Sequence, residues 1–114
     1  QTAHRVLVIV DTSASQTGIF RKESLEVLKS FTNSLPEGSE IGLMAADVKP
    51  VMLTDQGLVD PSGDVWAAAL NKLNERAPLG TTDLASALKE AANVLTETKN
   101  GGTIVYIGDG ITRS

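Results

Sequence analysis

Val6-Leu7-Val8-Ile9-Val10 runs without a polar break into Asp11. No polar residue alternates with these aliphatic side chains, so the segment reads as a strand buried on both faces. Such strands belong to parallel sheets covered by helices on either side. The carboxylate at the end of the run is the second constraint. Three small hydroxyl side chains follow it, Thr12, Ser13 and Ser15.

The rest of the chain alternates helical and strand patterns. Phe20, Val27, Leu28, Phe31 and Leu35 recur at helical spacing and predict one buried face. Pro36-Glu37-Gly38 ends that helix. Ile41 to Ala46 is a second strand and Val51 to Thr54 a short third one. Lys49-Pro50 connects them tightly, which predicts an antiparallel pair at the sheet edge. Asp60 then suits a helix cap and Pro61 a first helical position, with Val65, Trp66, Ala69, Leu70 and Leu73 as the buried stripe. Residues 77–82 form a loop. Leu84, Ala87, Leu88, Ala91 and Leu95 predict a third amphipathic helix. A turn at Asn100-Gly101-Gly102 leads into a last strand, Thr103 to Ile107, with Asp109 just beyond it. Trp66, Met44 and Met52 are expected in the core.

This alternation predicts an α/β fold: a Rossmann-like, doubly wound, mostly parallel sheet with an antiparallel edge strand and right-handed crossovers. With 114 residues the chain is one domain, 1–114, or part of one. Its start at Gln1 reads as a trimmed piece. Net charge is −4 and no basic block stands out, which argues against a nucleic-acid partner. The absence of cysteine excludes disulfides, thiol catalysis and thiolate metal sites. No apolar run is long enough for a membrane span.

Open sheets of this kind bind ligands past the carboxyl ends of their strands. Asp11 and Asp109 both fall at such ends. Three chemistries compete there. Asp11, Ser13, Ser15 and Asp109 offer only hard oxygen donors, which suit magnesium, manganese or calcium. A phosphate reading would make Asp11 a phosphoryl acceptor. It lacks a second acid two residues on, where Ser13 stands, and no phosphate-binding glycine loop is present. A nucleophilic Ser13 or Ser15 would need a base, and the only histidine, His4, lies at the opposite end of the first strand. Each residue alone also has a plain structural use. Ser15 or Thr17 could cap the first helix, Thr82 or Asp83 the third, and Asp109-Gly110 could be a turn. Their placement on one rim favours a shared site.

The same residues resemble the metal-ion-dependent adhesion site (MIDAS) of the von Willebrand factor type A family. Its Asp-x-Ser-x-Ser element matches Asp11-Thr12-Ser13-Ala14-Ser15. Its threonine, set before a helix, matches Thr82 within Gly80-Thr81-Thr82-Asp83-Leu84, with Thr81 as the adjacent alternative. Its last acid, before a glycine, matches Asp109-Gly110. The resemblance implies strand order 3-2-1-4 and a metal set of Asp11, Ser13, Ser15, Thr82 and Asp109. In that set the hydroxyls ligate Mg2+ (or Mn2+ or Ca2+), and the carboxylates act directly or through water. It further implies a non-enzymatic protein-binding or adhesion module whose cation receives an acidic side chain of a partner, and it leans towards an extracytoplasmic setting. The family fold continues past Asp109 with two further strands. The chain is therefore expected to expose a sheet edge at its last strand, and to associate with a second copy or with a chain completing the sheet. A metal-dependent phosphotransfer domain with Asp11 as acceptor is the enzymatic alternative, and a structural fragment without metal the third.

Overall fold

The computed structural model describes residues 4–11, 19–46, 49–54, 57–75, 83–96, 102–107 and 112–113. In chain order these form β1 (Arg5–Asp11), α1 (Ile19–Asn33), β2 (Glu40–Ala46), β3 (Pro50–Met52), α2 (Asp64–Glu75), α3 (Leu84–Thr96), β4 (Thr103–Ile107) and β5 (Thr112–Arg113). The sheet order is β3-β2-β1-β4-β5. β1 lies at its centre between two parallel neighbours, with Val8 opposite Leu43 on β2 and Val105 on β4. β3 runs antiparallel to β2, as the Lys49-Pro50 connection predicts.

Residue parity along β1 explains why both of its faces are apolar. Val6, Val8 and Val10 pack with Leu28 of α1 and with Trp66, Ala69 and Leu73 of α2. Leu7 and Ile9 point the other way and pack with Met44 and with Ala87, Ala91 and Leu95 of α3. Among the described residues, two helices thus cover one face and one covers the other. Each fully buried aliphatic side chain contributes about 1.5–3 kcal/mol, so β1 alone fixes the layer order. Trp66 and Met44 are buried as expected, and Met52 is half-buried against the α3-side cluster.

Three local expectations need correction. First, the helix stripes are narrower than their apolar residues suggest. Val27 is 53% exposed and Leu88 41%, and Val65 and Leu84 also face outward. A single sheet face accepts a helix along one narrow line, so flanking apolar positions remain at the surface. Second, α2 starts at Asp64, not at Pro61. Asp60 instead closes a turn: its Oδ1 accepts hydrogen bonds from the amide and hydroxyl of Ser62, at 2.9 and 2.8 Å.

Third, the strand expected over Val51 to Thr54 ends at Met52. Leu53 N still donates to Leu43 O, but Leu43 N donates to the Thr54 hydroxyl, which in turn donates to Gly57 O. A buried side chain thereby takes over where the backbone ladder stops. β5, for which the sequence carried no expectation, pairs antiparallel with Tyr106 and Ile107 of β4 and is too short to show any periodicity.

Gly38 and Gly102 are among the glycines that geometry dictates. Gly38 follows the first helix with φ +87°, a conformation that side chains disfavour. At Gly102 a Cβ would lie 2.7 Å from Arg5 O and 2.8 Å from the Leu95 side chain. That contact ties the C-terminal end of α3 to the starts of β1 and β4.

Candidate metal site at the carboxyl ends of the strands

Asp11 is the last residue of β1 and shares the parity of Leu7 and Ile9, so its side chain lies on the α3 face. It is only 7% exposed. Its ladder partner on β2 is Ala46, a small buried residue that leaves room beside the carboxylate. Burying a carboxylate is costly unless hydrogen bonds replace water. One such bond comes from Tyr106 of β4, whose hydroxyl donates to Asp11 Oδ2 at 3.0 Å. The Tyr106 backbone sits opposite Ile9, two residues short of Asp11, so the long phenol side chain spans that diagonal step along one face of the sheet.

The edge of the sheet that carries Asp11 also receives the start of α3. Leu95, near the other end of that helix, packs at the beginning of β1 through Gly102, so the helix runs back along the strands. Asp83 caps it. Its Oδ1 accepts from Ser86 N at 3.1 Å and its Oδ2 from the Ser86 hydroxyl at 2.8 Å. The hydroxyl bond first, and the amide bond second, hold the Asp83 carboxyl below its ordinary value of 3.8. Of the two cap candidates, Asp83 therefore fills that role and is engaged in structure. Asp60 is lowered in the same way, first by the Ser62 amide and then by its hydroxyl.

Of the five expected metal-site residues, Asp11 is described. Ser13, Ser15, Thr82 and Asp109 lie outside the described residues, as do Thr81 and the possible cap residue Thr17. The described residues contain no group of three or more His, Cys, Asp or Glu side chains arranged to hold a metal. In sequence Ser13 and Ser15 fall between Asp11 and α1, Thr82 directly precedes the Asp83 cap, and Asp109 follows β4 by two residues. The chemistry of this donor set, two carboxylates and three hydroxyls, fits a hard divalent cation.

The base needed for a nucleophilic serine is not at this edge. His4 sits at the opposite end of β1, where its backbone amide donates to Ser39 Oγ and its carbonyl accepts from Glu40 N. Its side chain is exposed. The length of β1, on the order of 20 Å, separates it from Asp11. A polar groove lined by Asn33, Glu37, Ser39, Asp60 and Ser62 lies at that same far end.

Sequence reasoning placed Asp11 at the end of the first strand, where it stands, but did not foresee its contact with Tyr106. Its only signal was a lone aromatic residue in the strand Thr103–Ile107, and the diagonal to Asp11 appears only once β1 and β4 are paired in register.

A mixed sheet with strand order 3-2-1-4 in its first four strands, helices on both faces and an acid at the end of the central strand defines a doubly wound α/β domain. The chain belongs to the von Willebrand factor type A family, whose domain model matches residues 4–114. Members of this family are generally adhesion or protein-interaction modules, and usually not enzymes.

Solved structures share the fold at low identity. A von Willebrand factor type A protein from Catenulispora acidiphila superposes with a TM-score of 0.76 at 17% identity, over 90% of this chain and 25% of that one. The vWF domain of the type V pili tip protein Mfa5 from Porphyromonas gingivalis gives 0.70 at 20% identity, over 91% and 36%. The PilB minor pilin from Streptococcus sanguinis gives 0.72 at 17% identity, over 97% and 31%. The chain thus spans between a quarter and just over a third of these three solved chains. No curated protein sequence matches it significantly. No helix among the described residues is long and apolar enough to cross a membrane.

Proposed function

We propose that this domain is a divalent-cation-dependent protein-binding module. Its metal set would be Asp11, Ser13, Ser15, Thr82 (or Thr81) and Asp109, with Mg2+ as the first candidate and Mn2+ or Ca2+ as alternatives. The observation that carries the reading is Asp11: a buried carboxylate at the carboxyl end of the central strand, on the side where the ligand crevice of such sheets lies. Neutral hydroxyl ligands leave a bound cation with much of its positive charge, and that charge attracts an acidic side chain of a partner protein. Asp11 and Asp109 orient the hydroxyls and balance part of the charge.

The partner is proposed to be a protein presenting Asp or Glu. Two of the neighbouring folds are pilus proteins by name, which supports an adhesive, extracytoplasmic setting. The phosphotransfer alternative lacks a second acid two residues after Asp11, where Ser13 stands, and lacks a phosphate-binding glycine loop. β5 pairs with only two residues of β4, which supports association of its remaining edge with a further strand, from a second copy or from a chain that completes the sheet.

Isothermal titration with magnesium chloride tests the reading. The parent is expected to bind one ion and Asp109→Ala to lose most of that affinity. Native-state binding at a hundredfold excess over Kd adds about 2.7 kcal/mol of stability, so the melting temperature should rise with magnesium and fall back with chelator. A parent with neither heat nor thermal shift overturns the proposal. A mass increase on Asp11 after incubation with acetyl phosphate would instead favour phosphotransfer.

A further inference from the structure

We propose that Tyr106 is a positioning residue for the metal site, holding the Asp11 carboxylate in the orientation that a cation requires; this rests on the metal-binding reading above. Tyr106 occupies the one β4 position whose side chain shares the Asp11 face and starts one pleat short of it. Ile104 shares that face but begins two residues further back. Thr103, Val105 and Ile107 alternate onto the other face. A leucine or isoleucine at position 106 could fill the same space beside the α3-side cluster. The phenol adds a donor that reaches the carboxylate.

The base of this lever is rigid. The Tyr106 backbone is paired on both sides, with Ile9 of β1 and with Arg113 of β5. Tyr106 is half-buried and packs against the cluster that contains Ile9 and Ala87. A tyrosine so held has few rotamers left, so its hydroxyl is a fixed point rather than a wandering donor. The 3.0 Å separation is at the long end for an O–H···O bond. Partners that orient metal ligands in this way typically change metal affinity 10–100-fold when removed.

The test uses the full 114-residue chain and the substitution Tyr106→Phe, which keeps the ring and removes only the hydroxyl. Magnesium affinity is measured by titration calorimetry and metal-free stability by thermal melting in chelator. Tyr106 is the only tyrosine, so the tyrosine component of the near-UV difference spectrum reports on this contact alone. The expected result is a tyrosine spectral change on magnesium binding to the parent, and affinity about tenfold weaker in Tyr106→Phe. Equal affinities in parent and variant, with only the metal-free melt lowered, would give Tyr106 a structural role and overturn the inference while leaving the metal site standing. A parent that binds magnesium with no tyrosine signal overturns it as well. A parent that binds no magnesium overturns the metal reading, and this inference falls with it.

Discussion

The Tyr106 hydroxyl meets Asp11 Oδ2 at 3.0 Å across 95 positions of sequence, and it does so because β1 and β4 are paired in parallel with Ile9 opposite Tyr106. One residue of slip would turn Tyr106 to the other face and leave an aliphatic side chain beside the carboxylate. Register, burial and the chemistry of the rim are therefore one property of the fold.

Asp11→Asn separates the charge of that carboxylate from its shape. The amide keeps a carbonyl oxygen for the Tyr106 hydroxyl and nearly the same volume. Metal-free stability should stay close to that of the parent, because the buried position no longer has to hold a charge. Magnesium should no longer raise the melting temperature. Paired melts with magnesium and with chelator read both numbers. An undiminished magnesium shift in Asp11→Asn would remove Asp11 from the metal set.

The sheet was legible in the sequence because its signal is collective. The unbroken run Val6 to Val10 demands cover on both faces, and helices at intervals supply it. Helix faces were legible only in part. Ala87, Ala91 and Leu95 are buried, yet Leu88 is not, since hydrophobicity alone does not say how wide a strip the sheet can accept. The start of α2 was misplaced because Asp60-Pro61 serves a turn as well as it serves a cap. Tyr106 and Thr54 were missed for a common reason: both act through a hydroxyl on a partner that no local pattern brings near. Of the site itself, Asp11 stands at the strand end where it was expected, and the other four residues rest on the sequence pattern.

Thr54 gives a stability prediction. It is fully buried, accepts from Leu43 N at 3.2 Å and donates to Gly57 O at 2.6 Å. Thr54→Val keeps the shape and takes the hydroxyl away from both backbone groups. Buried groups deprived of their partner cost about 1–3 kcal/mol, which for a domain of this size lowers the melting temperature by roughly 4 °C per kcal/mol. Thr54→Ser keeps the hydroxyl and should lose less. Urea unfolding of the three proteins checks the order, and a Val variant as stable as the parent would show that the hydroxyl does not secure this turn.

Acid should loosen the start of α3. The Ser86 hydroxyl and amide favour the ionised form of Asp83 and lower its pKa in the folded chain. Between the folded value and the ordinary 3.8 the unfolded chain binds more protons, so stability rises with pH across that window. The contribution is complete above the ordinary value and is lost as pH falls through the folded one. Asp60 acts in the same direction at its own turn. Asp83→Asn retains a capping side chain without the titration, so its stability should fall less steeply below about pH 4 than that of the parent. Asp83→Ala should melt a few degrees lower already at neutral pH. Thermal melts across the acid range decide it; parallel curves for parent and Asp83→Asn would mean that the cap does not couple to pH.

The outer edge of β4 should mediate association. β5 pairs with Tyr106 and Ile107, and among the described residues no strand lies along the same side of Thr103, Ile104 and Val105. That stretch has no charge, proline or glycine, the devices that usually blunt a free edge. Its side chains are not sealed either: Thr103 is exposed, and Ile104 and Val105 are half-buried. Shallow grooves open on both faces beside it, one lined by Phe31, Leu35 and Val105 and the other by Leu95, Gly102 and Ile104. An added strand would gain backbone hydrogen bonds and cover apolar surface on both faces at once. The apparent mass by light scattering should therefore rise with concentration. Thr103→Lys places a charge at the exposed start of the edge without entering the core, and should hold the chain monomeric while leaving its melting temperature nearly unchanged. A parent that stays monomeric throughout the series, with the amides of residues 103–105 protected from hydrogen exchange, would show that the edge is already covered within one chain.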